Sequence, residues 1–380
     1  MASAKGTRII MLLDLDSFYA SAEELRHPEL KGKPIAICMF SGRTNDSGAI
    51  ATANYSARAL GIHAGMYIAQ AKRLAQKAVS EGKDETSFLP ADRVHYKQIS
   101  DRIMALLRKH ADALEQVSID EAYMDVTSRT GSDFKTAERL ANAMKKELLA
   151  QERLTCSIGI GPTKAVAKMA ASAKKPDGMT VIEPSKVKAF LDPLPVKKLH
   201  GIGPKTTEMM ESMGIKTIGE LAAYDVTKLK PLLGERRAEA IWHRSRGEDD
   251  DPVQEGERKQ IGRIVTLKKD SRDAKYIASY IHEMADDVAS KTNGIMFRTV
   301  SIHIVTTMME TKTRSRTLDK ATGKTETITA EAEELIRTYL KENPNDVIRR
   351  FGITVSSFES QTAEKEETKT KPLFRFLHKV

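Results

Sequence analysis

The segment "VSIDEAYMDV", from Val117 to Val126, places two neighbouring carboxylates inside an apolar run with high strand propensity. Asp120 and Glu121 carry like charges, and buried carboxylates without a cationic partner are costly. If these two residues lie at the turn of a β-hairpin, both side chains can reach one point beyond the ends of the strands. The segment therefore predicts a hairpin whose turn presents two carboxylates to a positively charged group.

The segments on either side of this hairpin predict the fold of the first half of the chain. Their apolar periodicity indicates, in chain order, a strand at Arg8–Asp16, a helix at Arg93–His110, the hairpin, a helix near Phe134–Leu149 and a strand at Thr155–Ile160. With an insertion near Glu24–Ser87 set aside, the order is β-α-β-β-α-β. This order is typical of the split βαβ (ferredoxin-like) sheet, which carries two helices on one face.

The first strand ends in "LDLD" and adds a third carboxylate. In the split βαβ pattern this strand lies beside the hairpin, so Asp14 could converge with Asp120 and Glu121. Three carboxylates around one point favour a multivalent cation, and oxygen ligands with few histidines favour Mg²⁺ over zinc. Two such ions can support an in-line displacement at phosphorus. The alternative is that these acids cap turns or form ion pairs, and Asp16 is itself predicted to cap the helix at Ser17–Leu25.

Length, charge and cysteine content narrow the class of protein. A chain of 380 residues with a net charge of +9 predicts several domains and either a polyanionic partner or a solvated basic surface. Cys38 and Cys156 lie in strand-like segments without disulfide or zinc spacing, so we expect buried, inert thiols. Because neither a membrane-spanning run nor a signal peptide is evident, we expect a cytoplasmic protein, and we expect a monomer.

The second half of the chain predicts two further structural regions. The segment "KKLHGIGPKTTEMMESMGIKTIGEL" (Lys197–Leu221) holds two short helical patterns joined through Gly214. A polar linker at Gly247–Lys259 follows it. Strand-like and helical segments then alternate and predict a small, separate α+β domain. From Glu359 to Lys371 the composition is polar and predicts a disordered tail.

Five motifs in this order resemble the Y-family, lesion-bypassing DNA polymerases, with the archaeal DinB or DNA polymerase IV branch nearest. The resemblance spans Arg8 to Phe358 and rests on "LDLDSFYASAEE", "ATANYSARALGIHAGM", "VSIDEAYMDV", "SIGIGPTKAVAKMAASAKKPDG" and "LHGIGPKT". It implies an α+β multidomain, right-hand architecture with a split-βαβ palm. The implied domains are a palm at residues 1–20 and 84–182, small fingers at 21–83, a helix-hairpin-helix thumb at 183–246, a linker at 247–258, an α+β little finger at 259–358 and a flexible tail at 359–380.

The resemblance also assigns roles around the carboxylates. It implies that Asp14 and Asp120 bind both metal ions, that Glu121 binds the catalytic ion, and that the carbonyl of Leu15 binds the nucleotide-side ion. Without the resemblance, the residues implied in nucleotide binding would each be ordinary core, surface or turn residues. They are Phe18 and Tyr19 at a helix N-terminus that favours phosphate, Tyr19 also as the steric gate against a ribose 2′-hydroxyl, and Thr52, Tyr55, Arg58 and Lys175 on the triphosphate.

Two further regions are predicted to bind DNA. In "HGIGPKT", Gly201 and Gly203 permit close backbone approach beside Lys205, which suits contact with DNA phosphate without reading sequence. The alternative is a glycine turn between structural helices. In "TKTRSRTL", strand periodicity places the basic residues on one face, where they suit successive phosphates or form a solvated face. These basic residues are Lys312, Arg314 and Arg316, and Arg263 in "RKQIGR" continues the basic path.

The chain ends in "KPLFRFLHKV" (Lys371–Val380), which is unusually apolar for a disordered tail. Leu373, Phe376 and Leu377 have the spacing with which polymerase tails enter a sliding-clamp pocket. Thr370 stands where that motif usually has Gln. The alternative is that these side chains fold back on the little finger.

Together these features predict a template-directed, Mg²⁺-dependent DNA polymerase of the translesion type. The primer 3′-hydroxyl of a primer-template DNA would attack the α-phosphate of a dNTP, and the small fingers of the family imply low fidelity. Two alternatives are a different two-metal palm enzyme, such as a nucleotide cyclase, and a catalytically inactive DNA-binding relative. The glycine turn of the predicted thumb argues against the first, and the intact set of Asp14, Asp120 and Glu121 argues against the second.

Overall fold

The computed structural model describes residues 7–256 and 258–359. Its contacts divide the chain into two compact units. Among the described residues, the first unit contains residues 7–39 together with Ala49–Gly256, and the second contains Phe40–Gly48 together with residues 258–359. The predicted tail at 359–380 lies outside the described residues except for Glu359, as do the predicted clamp-binding residues Leu373, Phe376 and Leu377.

The helices and strands fall into two runs along the chain. Up to residue 256 they are β1 (Ile10–Leu15), α1 (Phe18–Arg26), β2 (Ile35–Phe40), β3 (Gly48–Ala53), α2 (Tyr55–Ala59), α3 (Ile68–Ser80), β4 (Ser87–Pro90), α4 (Arg93–Lys109), β5 (Ala113–Gln116), β6 (Glu121–Asp125), α5 (Phe134–Glu152), β7 (Cys156–Gly161), α6 (Lys164–Ala173), β8 (Met179–Val181), α7 (Val187–Leu191), α8 (Pro204–Ser212), α9 (Ile218–Ala223), α10 (Val226–Leu233) and α11 (Glu235–Ser245). From residue 258 they are β9 (Gln260–Ser271), α12 (Ala274–Thr292), β10 (Phe297–Thr306), β11 (Thr311–Thr322), α13 (Thr325–Glu342) and β12 (Ile348–Phe358).

A five-stranded sheet with the order β5-β6-β1-β7-β8 forms the centre of the first unit. Strand β1 is antiparallel to both β6 and β7, which confirms the predicted split βαβ pattern. Strand β8, which was not predicted, adds a parallel partner to β7. Successive side chains of a strand point to opposite faces, and β1 is buried on both. Met11 and Leu13 pack with α4 and α5, whereas Ile10 and Leu12 pack with Ala167 and Ala171 of α6.

Helix α6 lies unusually close to β7 because Gly159 has no side chain. A Cβ atom added at Gly159 would lie 2.0 Å from the carbonyl oxygen of Ala167 and 2.2 Å from the amide nitrogen of Ala171. Both distances are far shorter than a van der Waals contact. This glycine therefore fixes how closely α6 and the loop after it approach the sheet.

Two smaller substructures complete the first unit. A three-stranded sheet with the order β3-β2-β4 shares an apolar core with α2 and α3. Strand β4 pairs in parallel with β2, although the predicted boundaries assign Ser87–Pro90 to the palm. Helices α7 to α11 enclose another core, to which Val166, Met169 and Ala170 of α6 also contribute. Helix α8 ends before Gly214 (φ +82°) and α9 begins at a capping box of Thr217 and Glu220, so the two predicted helices joined through Gly214 are confirmed.

The second unit is the predicted small α+β domain. Its four strands are antiparallel in the order β11-β10-β12-β9. Helices α12 and α13 pack on one face of this sheet, over a core that includes Ile302, Tyr339 and Phe351. The other face carries hydroxyl groups in opposed pairs, such as Ser301 with Ser315, whose oxygens are 2.8 Å apart.

The two cysteines are buried, as predicted. Cys38 and Cys156 are each 1% exposed, and burial raises the pKa of the Cys38 thiol to about 11 and that of Cys156 to about 12. Both groups therefore remain protonated at neutral pH, as predicted for inert thiols.

None of the helices in the described part of the chain is long and apolar enough to cross a membrane.

We predict that Gly159→Ala lowers the free energy of unfolding of the first unit by about 1–3 kcal/mol, the usual cost of overpacking a core. The added methyl group would press on backbone atoms of α6, which move only with the whole helix. Gly256→Ala is the matched control, because a Cβ there meets no atom within 4 Å. Denaturant unfolding followed by circular dichroism measures both variants, and equal midpoints would contradict the prediction.

Candidate active site

The end of β1 brings the predicted carboxylates together. Asp14 is the register partner of Glu121 in the antiparallel pair of β1 and β6. One residue further on, the amide of Leu15 donates a hydrogen bond of 2.9 Å to the carbonyl of Asp120. The side chain of Asp120 accepts a hydrogen bond of 2.5 Å from the hydroxyl of Ser118 within the hairpin turn. The predicted hairpin, with Asp120 and Glu121 at its turn beside Asp14, is therefore present.

Two lysines compensate the charge of this carboxylate cluster. Lys175 Nζ lies 2.5 Å from Asp14 Oδ1, and Lys168 Nζ lies 2.5 Å from Glu121 Oε1. Lys168 projects from α6, whereas Lys175 follows α6 in the loop before β8. Lys175 was predicted to be near the site, but Lys168 was missed. The only signal for Lys168 in the sequence is its place on the helix that follows a strand adjacent to β1.

The pKa of Asp14 reflects its burial and the charges around it. Burial raises the pKa of Asp14 above its ordinary value, the neighbouring ammonium of Lys175 opposes this rise, and the charges of Asp120 and Glu121 add to it. The three acids therefore lie near enough to repel one another. In residues 7–256 and 258–359, however, no group of three or more acidic, cysteine or histidine side chains is already arranged to hold a metal ion.

Asp16 does not cap the helix that follows it, so that prediction is wrong. Its carboxylate accepts hydrogen bonds of 2.8 Å from the hydroxyl of Ser157 and of 2.8 Å from the amide of Asp177. The amide of Asp16 donates to the carbonyl of Thr155 at 3.1 Å, which directs this segment toward β7. Helix α1 begins instead after Ser17, whose φ is +49° and whose hydroxyl makes no cap hydrogen bond.

Phe18 and Tyr19 begin α1, but their side chains have different environments. Phe18 is 3% exposed and belongs to the core of the first unit. The ring of Tyr19 is partly exposed and stacks on the ring of Tyr96, with 4.3 Å between the centroids and 18° between the planes. The Tyr96 hydroxyl donates to the buried carboxylate of Glu23 at 2.8 Å. Burial raises the pKa of Tyr19, and the charge of Asp120 adds to this rise, so Tyr19 faces the carboxylate cluster.

The predicted phosphate ligands of the smaller sheet lie around the start of α2. Thr52 is partly buried near the end of β3. The guanidinium carbon of Arg58 lies 4.8 Å from the ring centroid of Tyr55, which confirms that these two residues share one helix face. Burial raises the pKa of the Tyr55 hydroxyl, and the charges of Asp16 and Asp14 contribute to the rise. Tyr55 is therefore directed toward the end of β1.

The predicted glycine turn precedes α8. Gly201 has a φ of +96°, in the left-handed region that favours glycine, and Gly203 is the N-cap of α8. A Cβ atom at Gly203 would meet nothing within 4 Å, and Lys205 is exposed beside it. Arg237 of α11 donates to the hydroxyl of Thr206 at 2.9 Å and so links α11 to the start of α8, beside this turn. The turn is open to solvent, and its binding to DNA remains a prediction.

The four basic residues predicted to contact DNA lie in the second unit, and their contact with DNA remains a prediction. Lys312, Arg314 and Arg316 do share one face, but the register pairs them with Ile304, Ile302 and Val300, whose side chains pack under the helices. They therefore lie on the helix-covered side, and each is paired with a carboxylate. The pairs are Lys312 with Asp346 at 3.0 Å, Arg314 with Glu342 at 3.6 Å, Arg316 with Glu331 at 3.0 Å, and Arg263 with Glu283 of α12 at 2.7 Å.

Family models match three parts of the chain. Residues 13–172 match the impB/mucB/samB family, residues 197–249 match the model described as DNA polymerase-iota, thumb domain, and residues 258–368 match the impB/mucB/samB family C-terminal domain. In chain order, the first match covers most of the central sheet, the second lies in the helical substructure of α7 to α11, and the third covers most of the second unit.

Relatives of known sequence and structure agree with these models. DNA polymerase IV of Methanosarcina acetivorans is 41% identical over 94% of this chain and 98% of its own, and DNA polymerase IV of Saccharolobus solfataricus is 36% identical over 92% and 96%. Among solved structures, a Y-family DNA polymerase chimera of Dbh and Dpo4 aligns with a TM-score of 0.86 and 32% identity, covering 92% of this chain and 99% of its own.

The fold and the carboxylate cluster at the end of β1 thus define a DNA-directed DNA polymerase with a right-hand architecture. The chain belongs to the Y family of these enzymes, in the archaeal DinB or DNA polymerase IV branch. It is accordingly a translesion polymerase and a metal-dependent enzyme. The relatives do not favour the alternatives of a nucleotide cyclase or an inactive DNA-binding protein.

Proposed function

We propose that Asp14, Asp120 and Glu121 hold two Mg²⁺ ions, and that the chain joins a dNTP to a primer 3′-hydroxyl beside them on primer-template DNA. One observation supports this most directly: Asp14 and Glu121 are register partners, and each carboxylate already draws a lysine ammonium to 2.5 Å. The cluster therefore requires positive charge, and its ligands are the hard oxygens that Mg²⁺ prefers. The carbonyl of Leu15 is the fourth proposed ligand.

The bound ions would lower the pKa of the primer hydroxyl and neutralise charge on the phosphate that is transferred. The protein's own groups have the task of placing the substrates. Lys175 would exchange its partner Asp14 for a phosphate oxygen of the nucleotide, which frees a carboxylate ligand. Lys168 compensates Glu121 in the free enzyme.

The nucleotide is proposed to lie between the N-terminus of α1 and the start of α2. The first amides of α1, at Phe18 and Tyr19, point outward from a helix N-terminus, which favours phosphate. Thr52, Tyr55 and Arg58 would contact the triphosphate from the other side. The Tyr19 ring, supported by stacking on Tyr96, would form the wall that excludes a ribose 2′-hydroxyl.

DNA is proposed to contact two open surfaces. In the first unit the turn of Gly201 and Gly203, with Lys205, would bind backbone phosphate without base contacts. In the second unit Lys312, Arg314, Arg316 and Arg263 would exchange their carboxylate partners for backbone phosphate oxygens, and the open hydroxyl face of the sheet would add further contacts. Hydroxyl groups are common donors to phosphate and sugar oxygens, and the basic residues would add to the attractive field.

The predicted domain boundaries are retained as a proposal, except that Ser87–Pro90 joins the fingers with β4. We also propose that the enzyme acts as a monomer in the cytoplasm. Leu373, Phe376 and Leu377 would enter the pocket of a sliding clamp. A flexible tether with a small apolar plug raises the effective concentration at the primer end even when its own affinity is modest.

Asp120→Asn and Glu121→Gln should each reduce primer extension by about a thousandfold, because metal-held charge stabilisation supplies several kcal/mol. Folding should survive, since both changes relieve repulsion between like charges. Asp101→Asn, which alters an exposed ion pair with Lys97, is the matched control and should extend normally. Single-turnover extension with Mg²⁺ measures all three variants. Normal extension by both site variants would contradict the proposed mechanism.

Tyr19→Ala should admit ribonucleotides and leave use of deoxynucleotides largely intact, because it removes a wall and not a ligand. The measurement is the ratio of dCTP to CTP incorporation opposite template G in single turnovers. Tyr276→Ala, at a tyrosine of the second unit, should leave the ratio unchanged. An unaltered ratio for Tyr19→Ala would assign Tyr19 to core packing alone.

Deletion of Thr370–Val380 should leave extension without a clamp unchanged and abolish stimulation by the cognate clamp. A second variant replaces Leu373, Phe376 and Leu377 with Ala in the full-length chain. It should behave like the deletion if these three side chains bind the clamp. Stimulation that persists in both variants would show that the tail does not bind the clamp. Loss of extension in the absence of any clamp would instead support folding of the tail onto the little finger.

A further inference from the structure

The carboxylate of Asp16 has no part in the proposed chemistry, although it lies two residues from Asp14. Asp16 is 3% exposed, and a buried carboxylate is costly unless it is hydrogen-bonded. Its two partners are the hydroxyl of Ser157 on β7 and the amide of Asp177, each at 2.8 Å. The second partner belongs to the loop between α6 and β8, which also carries Lys175.

This loop is held from its other side by Lys145 of α5. Lys145 Nζ donates to the carbonyls of Asp177 at 2.6 Å and Gly178 at 3.1 Å, and it also lies 2.8 Å from the Asp177 carboxylate. The backbone at Asp177 has a φ of +54°. A Cβ atom at Gly178 would lie 1.6 Å from the carbonyl oxygen of Lys174, so the loop closes tightly on itself at this glycine.

The consequence is a fixed position for Lys175. Asp16 and Lys145 grip the segment two residues after it, and its ammonium lies 2.5 Å from Asp14. Asp14 and Asp16 belong to the same strand end. One short segment therefore supplies a proposed metal ligand and also sets the place of the proposed phosphate ligand relative to it.

We propose that Asp16 is a positioning residue that holds the loop of residues 174–178 so that Lys175 meets the nucleotide phosphates. This inference rests on the proposed role of Lys175 in nucleotide binding. Because Asp16 touches neither substrate nor the other carboxylates, its loss weakens nucleotide binding and changes the chemical step little.

The test compares single-nucleotide incorporation by Asp16→Ala, Asp16→Asn and Ser157→Ala. Asp16→Ala removes the acceptor of the Asp177 amide and should raise KM for the dNTP about tenfold with a smaller change in kcat. Asp16→Asn keeps an acceptor for that amide and can donate to the Ser157 hydroxyl, so it should restore most of the affinity. Ser157→Ala removes only the bond that does not reach the loop and is the matched control, with KM close to that of the unaltered enzyme.

A double-mutant cycle separates positioning from general destabilisation. In a Lys175→Ala background, Asp16→Ala should cause no further rise in KM, because the residue it positions is absent. Hydrogen exchange of the Asp177 amide should accelerate in Asp16→Ala and stay slow in Ser157→Ala. If Asp16→Ala fails to fold, Lys145→Met tests the same loop from the other side, with the same expected KM and the same non-additivity.

The outcomes distinguish the two levels of the proposal. If Lys175→Ala leaves KM for the dNTP unchanged, the proposed role of Lys175 is wrong. If Lys175→Ala raises KM but neither Asp16→Ala nor Lys145→Met does, or if their effects persist in the Lys175→Ala background, the positioning role of Asp16 is overturned. A rise in KM that vanishes in that background, with rescue by Asp16→Asn, supports it.

Discussion

The burial of acids close to one another at the end of β1 is the constraint on which the candidate active site depends. Asp14 and Glu121 are fixed opposite each other by strand register, and burial together with like charge raises the pKa of Asp14. A folded chain without cations there would lose stability. Lys168 and Lys175 supply them from one helix and the loop that follows it. They reach the cluster because Gly159 lets α6 lie directly against β7.

The parts of the site that follow from local pattern could be predicted from the sequence. Alternating apolar residues predict the strands, and the order of strands and helices puts β1 beside the hairpin, so Asp14 had to lie near Asp120 and Glu121. Lys168 could not be found in this way. Its place on Glu121 depends on how α6 crosses the sheet, and that crossing is set by a contact between backbone atoms and Gly159, which no periodicity reveals.

The second unit shows the same division between pattern and tertiary structure. Strand periodicity correctly predicts that Lys312, Arg314 and Arg316 share a face, but it does not say which face the helices cover. Strand β11 lies at the edge of its sheet. Long basic side chains on an edge strand can pass beside a helix and keep their charged ends near solvent. There they meet acids such as Glu331 and Glu342 of α13, and the open face is left to short hydroxyl side chains.

Asp16 shows why a sound local rule can fail at a functional site. An aspartate before a helix usually caps it, a contribution of about 1 kcal/mol. Asp16 instead bonds a hydroxyl on β7 and an amide of a loop, which has no helical partner to replace it. Asp16 is itself buried, and a buried carboxylate without hydrogen-bond partners is costlier than a missing cap, so the distant partners outweigh the cap. Two aspartates separated by one residue thus have different roles. Asp14 stays partly accessible to a cation, and Asp16 is buried and fixes the loop that carries Lys175.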